Sequence, residues 1–223
     1  KGIIFNYPCN PTGISYSRKE LSQISKVLSK NNVICLSDEI YADLTYDFEH
    51  VSFPSLPGAK DNVVYFNGFS KSYAMTGWRV GYACGPKEII AGMTKIHQYT
   101  IMCVSITSQM AACEALHVGK DSVEKMKREY ARRREFVIDG LNSIGLSCHN
   151  PQGAFYAFPS IKKTGLNSLD FAQKLLKEEK VAVVPGTAFG GEFKDYIRIS
   201  YASSFDNLKE ALRRMSVFLK KQL

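Results

Sequence analysis

Apolar runs and helical repeats alternate along the first hundred residues. Short apolar runs predict four strands, at residues 3–5, 33–36, 63–66 and 79–84. Between the first two runs, Ser17 and Glu20 have the spacing of a capping box, and Asn31 follows the last turn of the predicted helix. Strands that alternate with helices are typical of a mostly parallel sheet with helices on both faces, so we predict an α/β fold.

The second half of the chain predicts longer helices and shorter strands. Helical patterns cover residues 86–98 and 105–118, and a long amphipathic helix follows from about residue 123. We expect this helix to cross a domain boundary. The predicted domains are part of a larger α/β domain at residues 1–120 and a smaller α/β domain at residues 121–223.

Composition and the lengths of the apolar runs favour a globular protein. Of the 223 residues, 45% are hydrophobic and 22% are charged, which is ordinary for a folded domain. No apolar run approaches the roughly eighteen residues of a membrane span, and the first residues lack the pattern of a secretory signal. The six cysteines form no CxxC pair, so we expect a soluble, cytoplasmic protein. Cys35, Cys84 and Cys103 have apolar neighbours and are expected to pack as small hydrophobic residues.

A formal charge of +8 raises the question of an anionic partner. The densest basic cluster, Arg132-Arg133-Arg134, lies on the predicted long helix, and no nucleic-acid-binding motif accompanies it. We therefore interpret the cluster as a solvated helix face and predict no nucleic-acid partner. The four histidines are far apart and lack cysteine or carboxylate at ligand spacing, so no metal site is predicted. A positive field would also suit anionic small substrates and a phosphorylated cofactor.

A carboxylate and a phenol follow the second predicted strand, at the kind of edge where open α/β sheets bind ligands. Asp38 lies at the end of the run at residues 33–36, where burial of its charge would be costly without a cation or a strong donor. Tyr41 offers a phenol on the same side if the chain turns helical there. Taken alone, an aspartate in this position is more often the cap of a following helix.

A loop with a single lysine follows the third predicted strand. Lys71 has small and aromatic neighbours and no acidic partner nearby in sequence, a setting that suits imine chemistry. An isolated lysine is more often solvated. Arg79 comes eight residues later and has the planar two-donor geometry that binds a phosphate.

Four short strings occur in order along the chain. They are Asn10-Pro11-Thr12-Gly13, Ser37-Asp38-Glu39-Ile40-Tyr41, Ser70-Lys71 and Met75-Thr76-Gly77-Trp78-Arg79-Val80-Gly81-Tyr82. Each string alone is weak, but together, in this order and spacing, they resemble class I aminotransferases of pyridoxal-phosphate fold type I. The resemblance extends over residues 1–223 and implies the carboxy-terminal part of the large cofactor-binding domain followed by the small domain.

The resemblance implies a role for each matching residue. Lys71 is similar to the lysine that holds pyridoxal 5'-phosphate as a Schiff base and then moves a proton between substrate and cofactor. Asp38 is similar to the carboxylate that keeps the pyridine nitrogen protonated. Asn10 and Tyr41 resemble the two donors to the cofactor 3-hydroxyl, and Arg79 resembles the arginine that binds the phosphate.

A second arginine lies in the predicted apolar strand near residues 196–201. In the family, the residue matching Arg198 forks to the α-carboxylate of the substrate, a geometry that suits a guanidinium, and Asn10 belongs to the same substrate site. Taken alone, Arg198 would more often form a structural ion pair.

The chain also departs from the family pattern. Many members carry a serine as a phosphate ligand three residues before the lysine, where this chain has Gly68, and only Ser70 is close enough in sequence to replace it. The chain begins with Lys1 inside a strand-like run, and the family's phosphate loop, ring-stacking aromatic residue and much of its substrate pocket precede the Asn-Pro-Thr-Gly turn. We therefore expect that upstream sequence is missing and that this segment alone is inactive.

The predicted activity is transfer of an amino group between an L-α-amino acid and a 2-oxo acid, carried out by a homodimer. Two alternatives remain open. One is another pyridoxal-phosphate enzyme of the same fold, such as a β-lyase, a decarboxylase or an aminocyclopropane-carboxylate synthase. The other is the effector-binding domain of an aminotransferase-like transcription regulator.

Overall fold

The computed structural model describes residues 1–222, which divide into two compact units. Unit 1 comprises Lys1–Cys9 and Ile14–Lys127, and unit 2 comprises Asn10–Gly13 and the chain from Arg128 onward. The division falls inside a helix of 24 residues, Lys120–Ser143. The assignment of the two halves of the chain to a cofactor-binding domain and a small domain stays a prediction.

Unit 1 is built on a four-stranded sheet with the order β1-β2-β3-β4. Its elements are β1 (Gly2–Asn6), α1 (Arg18–Lys30), β2 (Ile34–Asp38), β3 (Val63–Gly68), β4 (Gly81–Cys84), α2 (Lys87–Thr100), α3 (Ile106–Val118) and the start of α4 (Lys120–Ser143). Strands β1, β2 and β3 are parallel, which confirms the predicted mostly parallel α/β sheet.

Strand β4 is the exception, because it pairs with β3 in the antiparallel sense, with Gly68 opposite Gly81. A parallel neighbour requires a long crossover, usually a helix. Residues 69–80 instead form a short loop with one turn of 3-10 helix, so the chain can only return alongside β3 in the opposite direction. The predicted strand is present, and its direction could not be read from its apolar pattern.

Helix α1 begins with the predicted capping box. The Ser17 side chain accepts from the Glu20 backbone N–H, and the Glu20 carboxylate accepts from the Ser17 backbone N–H at 2.8 Å. Asn31 caps the other end, as its position in the sequence indicates. The fully buried Leu21 of this helix packs with Tyr7, Cys35 and other residues in the core of unit 1.

Unit 2 combines the rest of α4 with a small antiparallel sheet of order β5-β7-β6 and two further helices. These elements are β5 (Tyr156–Ala157), α5 (Ser168–Glu179), β6 (Val184–Pro185), β7 (Ile197–Ser200) and α6 (Phe205–Gln222). Their apolar faces form one cluster, in which Leu141, Phe171, Ile197 and Phe218 are fully buried. The second half of the chain therefore combines helices with short strands, as the sequence predicts.

Two expectations about single residues are wrong. Cys84 and Cys103 are exposed, and only Cys35 of the three packs as a buried hydrophobic residue. Arg134 is 2% exposed and donates to the Pro151 carbonyl at 3.0 Å, so the basic cluster is not a wholly solvated face. In both cases the neighbours in sequence suggested a degree of burial that the side chain does not have. Its exposure depends on which other elements of the unit pack against it.

Within residues 1–222, no helix is both long enough and apolar enough to cross a bilayer. The same residues bring together no group of three side chains that could ligate a metal ion.

Candidate active site

Asp38 ends β2 at the carboxyl edge of the parallel strands of unit 1. Its side chain is half-buried, and Oδ1 accepts from the Ile40 backbone N–H at 3.3 Å. Burial raises the pKa of the Asp38 carboxyl, the Ile40 hydrogen bond opposes this rise, and the charge of Glu39 adds to it. The bond to Ile40 resembles a helix cap, but a turn follows instead of a helix, so Asp38 does not cap a helix.

Tyr41 and Lys71 meet in unit 1. The Tyr41 side chain is 3% exposed, and the Lys71 Nζ lies 5.9 Å from the centre of its ring. A cation within about 6 Å of an aromatic face is attracted by the ring electrons. Lys71 is half-buried, so this amine is not the freely solvated lysine that an isolated sequence match would suggest.

The loop that carries Lys71 is held by its own backbone. The Phe69 carbonyl accepts from the N–H groups of Tyr73 and Met75, and the Lys71 carbonyl accepts from Ala74. Phe69 and Met75 point into a small buried cluster with Ala112 of α3. These contacts fix the position of the lysine relative to the end of β3.

Gly68 marks the departure from the family's phosphate serine, and the structure gives a physical reason for it. A Cβ at this position would lie 2.9 Å from the Gly81 Cα and 3.1 Å from the Val80 carbonyl oxygen. Both are backbone atoms of the neighbouring chain and cannot move aside easily. Ser70 is half-buried beside the lysine, and its assignment as a phosphate ligand stays a prediction.

Arg79 is exposed and has a left-handed backbone, with φ 52°. Its guanidinium donates to the Thr76 carbonyl at 2.8 Å, which leaves other N–H groups on the exposed side of the loop. The remaining N–H groups of a guanidinium typically bind an anion.

In unit 2, Asn10 and Arg198 lie together although 188 positions separate them. The Arg198 Nη1 donates to the Asn10 Oδ1 at 2.8 Å. The guanidinium also lies over two rings, 4.5 Å from the centre of Tyr156 and 5.0 Å from that of Phe189. Its buried Nε has no hydrogen-bond partner among the described residues, and none of their carboxylates pairs with it. The structural ion pair weighed for Arg198 is therefore absent from this part of the chain.

The turn that carries Asn10 is fixed to unit 2 by backbone contacts. The Gly13 carbonyl accepts from the N–H groups of Gln152 and Gly153, at 2.8 and 3.0 Å. Gly13 has φ +69°, and a Cβ there would lie 2.5 Å from the Pro151 Cβ. This position therefore requires glycine both for its backbone conformation and for its close packing.

Sequence reasoning missed one polar cluster of unit 1. Glu39 is fully buried, and its carboxylate contacts Tyr7, Ser37 and His50. The one signal in the sequence is the alternation of a strand, because Ser37 and Glu39 share a face that Asp38 does not. Tyr7 and His50 are too distant in sequence to be paired with Glu39 by spacing.

The family described as aminotransferase class I and II matches residues 1–215. This chain belongs to that family. The match extends over nearly the whole chain and includes all seven positions proposed for the site, at residues 10, 38, 41, 70, 71, 79 and 198.

Individual aminotransferase relatives agree with this assignment. YugH of Bacillus subtilis is 54% identical over 99% of this chain, and an aspartate aminotransferase of Pyrococcus abyssi is 44% identical over 100%. This chain covers 57% of the first relative and 58% of the second. The matches do not confirm the expectation that this portion is the carboxy-terminal one.

Solved aminotransferase structures share the fold. The aromatic aminotransferase of Pyrococcus horikoshii superimposes with a TM-score of 0.96 at 44% identity, over 99% of this chain and 60% of that one. An aspartate aminotransferase of Thermotoga maritima gives a TM-score of 0.92 at 37% identity, over 99% and 56%.

The residues of unit 1 have the chemistry that pyridoxal phosphate requires. Lys71 has an amine that would bond covalently to the cofactor aldehyde, and Asp38 has a carboxylate that would accept from a ring N–H. Arg79 supplies exposed guanidinium donors for a phosphate. The donor set therefore fits this cofactor.

Proposed function

We propose that the full-length protein transfers an amino group from an L-α-amino acid to a 2-oxo acid with pyridoxal phosphate as its cofactor. The observation that carries this proposal is the placement of Lys71. Strands β2 and β3 are parallel neighbours, so Asp38 at the end of β2 and Lys71, three residues beyond β3, follow the same edge of the sheet. In open α/β sheets this edge is where ligands bind.

Each proposed residue has a separate task. Pyridoxal phosphate, when bound, supplies an electron sink for the carbanion of the substrate. The Lys71 Nζ binds the cofactor and later takes and returns the proton of the substrate α-carbon. Asp38 holds the proton on the ring nitrogen, Tyr41 donates to the 3-hydroxyl, and Arg79 and Ser70 hold the phosphate.

Arg198 binds the α-carboxylate of the amino acid. Support for this comes from unit 2, where the guanidinium is held by Asn10 on one N–H and by two aromatic faces, while no carboxylate among the described residues neutralises it. A guanidinium held flat in this way presents its remaining donors in a plane, which matches a carboxylate.

The names of the relatives point to different amino donors. One is a probable N-acetyl-LL-diaminopimelate aminotransferase of Bacillus subtilis, and others are aspartate and aromatic-amino-acid aminotransferases. We therefore propose the reaction class without a single donor, in a cytoplasmic homodimer. A panel of amino donors on the full-length protein, with the oxo acid product measured, identifies the substrate.

The decisive variant is Lys71→Ala in the full-length protein. We expect it to lose the visible absorbance band of the covalently bound cofactor and all transamination, because no other amine occupies this position. Lys60→Ala, at an exposed lysine of unit 1, is the matched control and should keep both. A surviving absorbance band in Lys71→Ala would contradict the assignment of the lysine.

A stoichiometric half-reaction separates amino transfer from the other activities of the fold. The intact protein mixed with its amino donor should convert all bound cofactor to the pyridoxamine form and release one oxo acid per site. Release of ammonia or carbon dioxide instead would indicate a lyase or a decarboxylase. Failure of every amino acid tried would refute the aminotransferase proposal.

A further inference from the structure

Glu39 follows Asp38 directly, and its carboxylate is wholly buried in unit 1. The Glu39 backbone N–H donates to the Phe66 carbonyl at 3.0 Å, so the ladder between β2 and β3 continues through this residue. Successive residues of an extended chain point to opposite faces. The Glu39 side chain accordingly lies on the face of Ser37, behind Asp38.

Four donors surround this carboxylate. Its Oε1 accepts from the Ser37 hydroxyl at 2.8 Å and the Phe53 backbone N–H at 2.9 Å. It also shares the single proton of the Tyr7 hydroxyl, 3.2 Å away, with the Val51 carbonyl at 3.0 Å. Its Oε2 lies 2.6 Å from the His50 Nε2. An ionised carboxylate has about four acceptor sites and no donor, so this environment is built for the charged form.

His50 contacts the Glu39 carboxylate through one of its two ring nitrogens. The His50 Nδ1 is buried and has no partner among the described residues, and a proton on it would be an unsatisfied buried donor. Burial first and the Glu39 charge second raise the pKa of both Tyr7 and Cys35. Burial also raises the pKa of Tyr65, where the Asn67 hydrogen bond opposes the rise and the charges of Tyr82 and then Glu39 add to it.

The same carboxylate joins three parts of unit 1. Tyr7 follows β1, Ser37 lies in β2, and His50 and Phe53 belong to the segment that leads toward β3. Tyr7 is fully buried, and its ring stacks on His50 with 5.1 Å between ring centres. Through these contacts the end of β2, and with it Asp38, is fixed in place.

We propose that Glu39 is a positioning residue that places a second, buried negative charge behind Asp38. Two carboxylates at the end of one strand attract a cation more strongly than one, because their potentials add. Glu39 would thereby favour the proton on a ring nitrogen that faces Asp38. The last step rests on the proposed function, whereas the coupling between the two carboxylates does not.

The coupling can be measured in the cofactor-free full-length protein. The titration of the Asp38 carboxyl is followed by carbon-13 NMR with labelled aspartate, and Asp38→Asn identifies its signal. In Glu39→Gln we expect the midpoint of the Asp38 titration to shift to lower pH, because a neighbouring negative charge has been removed. An unchanged titration in Glu39→Gln would overturn the proposal.

Two further variants separate charge from shape. Tyr7→Phe and Ser37→Ala each remove one donor and keep the Glu39 charge, which is then less well neutralised, so the pKa of Asp38 should rise. If these variants lower it as Glu39→Gln does, the effect is merely structural and the proposal fails. If Glu39→Gln does not fold, this pair decides alone, since a rise supports the proposal and no rise overturns it.

The consequence for the cofactor is read from nitrogen-15 NMR of ring-labelled pyridoxal phosphate bound to the same proteins. We expect the ring nitrogen to lose its proton at lower pH in Glu39→Gln than in the unmodified protein. Equal titrations would overturn the role of Glu39 toward the cofactor. If the unmodified protein binds no pyridoxal phosphate, the proposed function has failed, and the Asp38 titration still decides the coupling.

Discussion

Asp38 sits in an environment that opposes its own charge. Burial raises the pKa of its carboxyl above the value of a solvated aspartate, and the Ile40 N–H offsets only part of that rise. The folded protein therefore binds this proton more tightly than the unfolded chain does. Above the folded pKa the ionised side chain reduces stability, and below the unfolded pKa this penalty is absent.

Asp38→Asn should accordingly stabilise the cofactor-free protein at neutral pH while it abolishes activity. We expect a higher melting temperature at pH 7 and a difference that disappears as the pH falls below the unfolded pKa of about 4. Thermal unfolding across this range checks it, with Asp61→Asn at an exposed position as the control. A lower melting temperature at pH 7 would show that the Asp38 carboxylate is stabilised by its surroundings.

Arg198 leads to a prediction about substrate binding. Arg198→Lys keeps a positive charge but loses the planar fork and the stacking on Tyr156 and Phe189. We expect KM for the amino donor to rise about 10- to 100-fold, the loss of one charge-assisted hydrogen bond. Steady-state kinetics on the full-length protein measure it. Arg213→Lys on α6, where the arginine pairs with Glu210, should leave KM unchanged, and an unaltered KM in Arg198→Lys would argue against carboxylate binding.

Single residues also show where sequence reasoning stops. Asp38 and Lys71 could be selected because each follows a recognisable strand and belongs to a family string. Glu39 belongs to the same string, yet its partners Tyr7 and His50 lie 32 and 11 positions away. Tyr7, Glu39 and His50 come together only when the sheet and the loop after β2 have folded. No periodic pattern in the sequence indicates contacts between residues so far apart.

At the scale of single elements, helix α1 allows the contribution of a capping box to stability to be measured. Ser17→Ala removes the acceptor for the Glu20 backbone N–H and one end of the reciprocal pair. We expect a loss of about 1 kcal/mol in the free energy of unfolding, or roughly 2–4 °C in melting temperature. Ser22→Ala, inside the same helix, removes only a bond to the Arg18 carbonyl and should have no such cost. Equal effects of the two changes would show that the cap contributes nothing.

The Asn-Pro-Thr-Gly turn permits a matched comparison of two glycines. Gly13 and Gly58 both have left-handed backbones, with φ +69° and +72°, but a Cβ would clash only at Gly13. Alanine at either position should cost about 1 kcal/mol from the backbone alone. Gly13→Ala should cost clearly more because of Pro151 and Gly153, and urea unfolding compares the two. Equal losses would mean that the turn can shift away from its neighbours.

The elements themselves were the most predictable level of the structure. The four strands and four helices that apolar spacing and cap residues predict up to the long helix all have counterparts in the structure, because these signals are local. The direction of β4 was not predictable, since it depends on the length and course of the loop at residues 69–80. Cys84 was misjudged for a related reason, as an apolar strand does not reveal which of its faces another element covers.

At the scale of the whole molecule, the chain spans a little over half the length of the relatives it matches, and helix α2 has apolar side chains at its surface. None of the residues of α2 is buried, and Tyr99 and Met102 at its carboxyl end are 86% and 79% exposed. Exposed apolar side chains in such a group usually mark a face that another part of a protein covers.

We therefore expect residues 1–223 alone to turn over far more slowly than the full-length protein. The residues present supply the lysine and its neighbours but leave the apolar side of α2 uncovered. Turnover per bound cofactor, measured on both proteins under the same conditions, tests this. Comparable turnover would mean that these residues suffice for catalysis.

Residues 10–13 belong to unit 2, although the chain on both sides of them belongs to unit 1. Consider a chimera of two aminotransferases joined at residue 127. Its Asn10 would come from one parent and its Arg198 from the other, although the two residues form a hydrogen bond. We therefore expect chimeras to fold more often when residues 10–13 and the segment after residue 127 come from the same parent. The parts that must be exchanged together are set by contacts and not by their order in the chain.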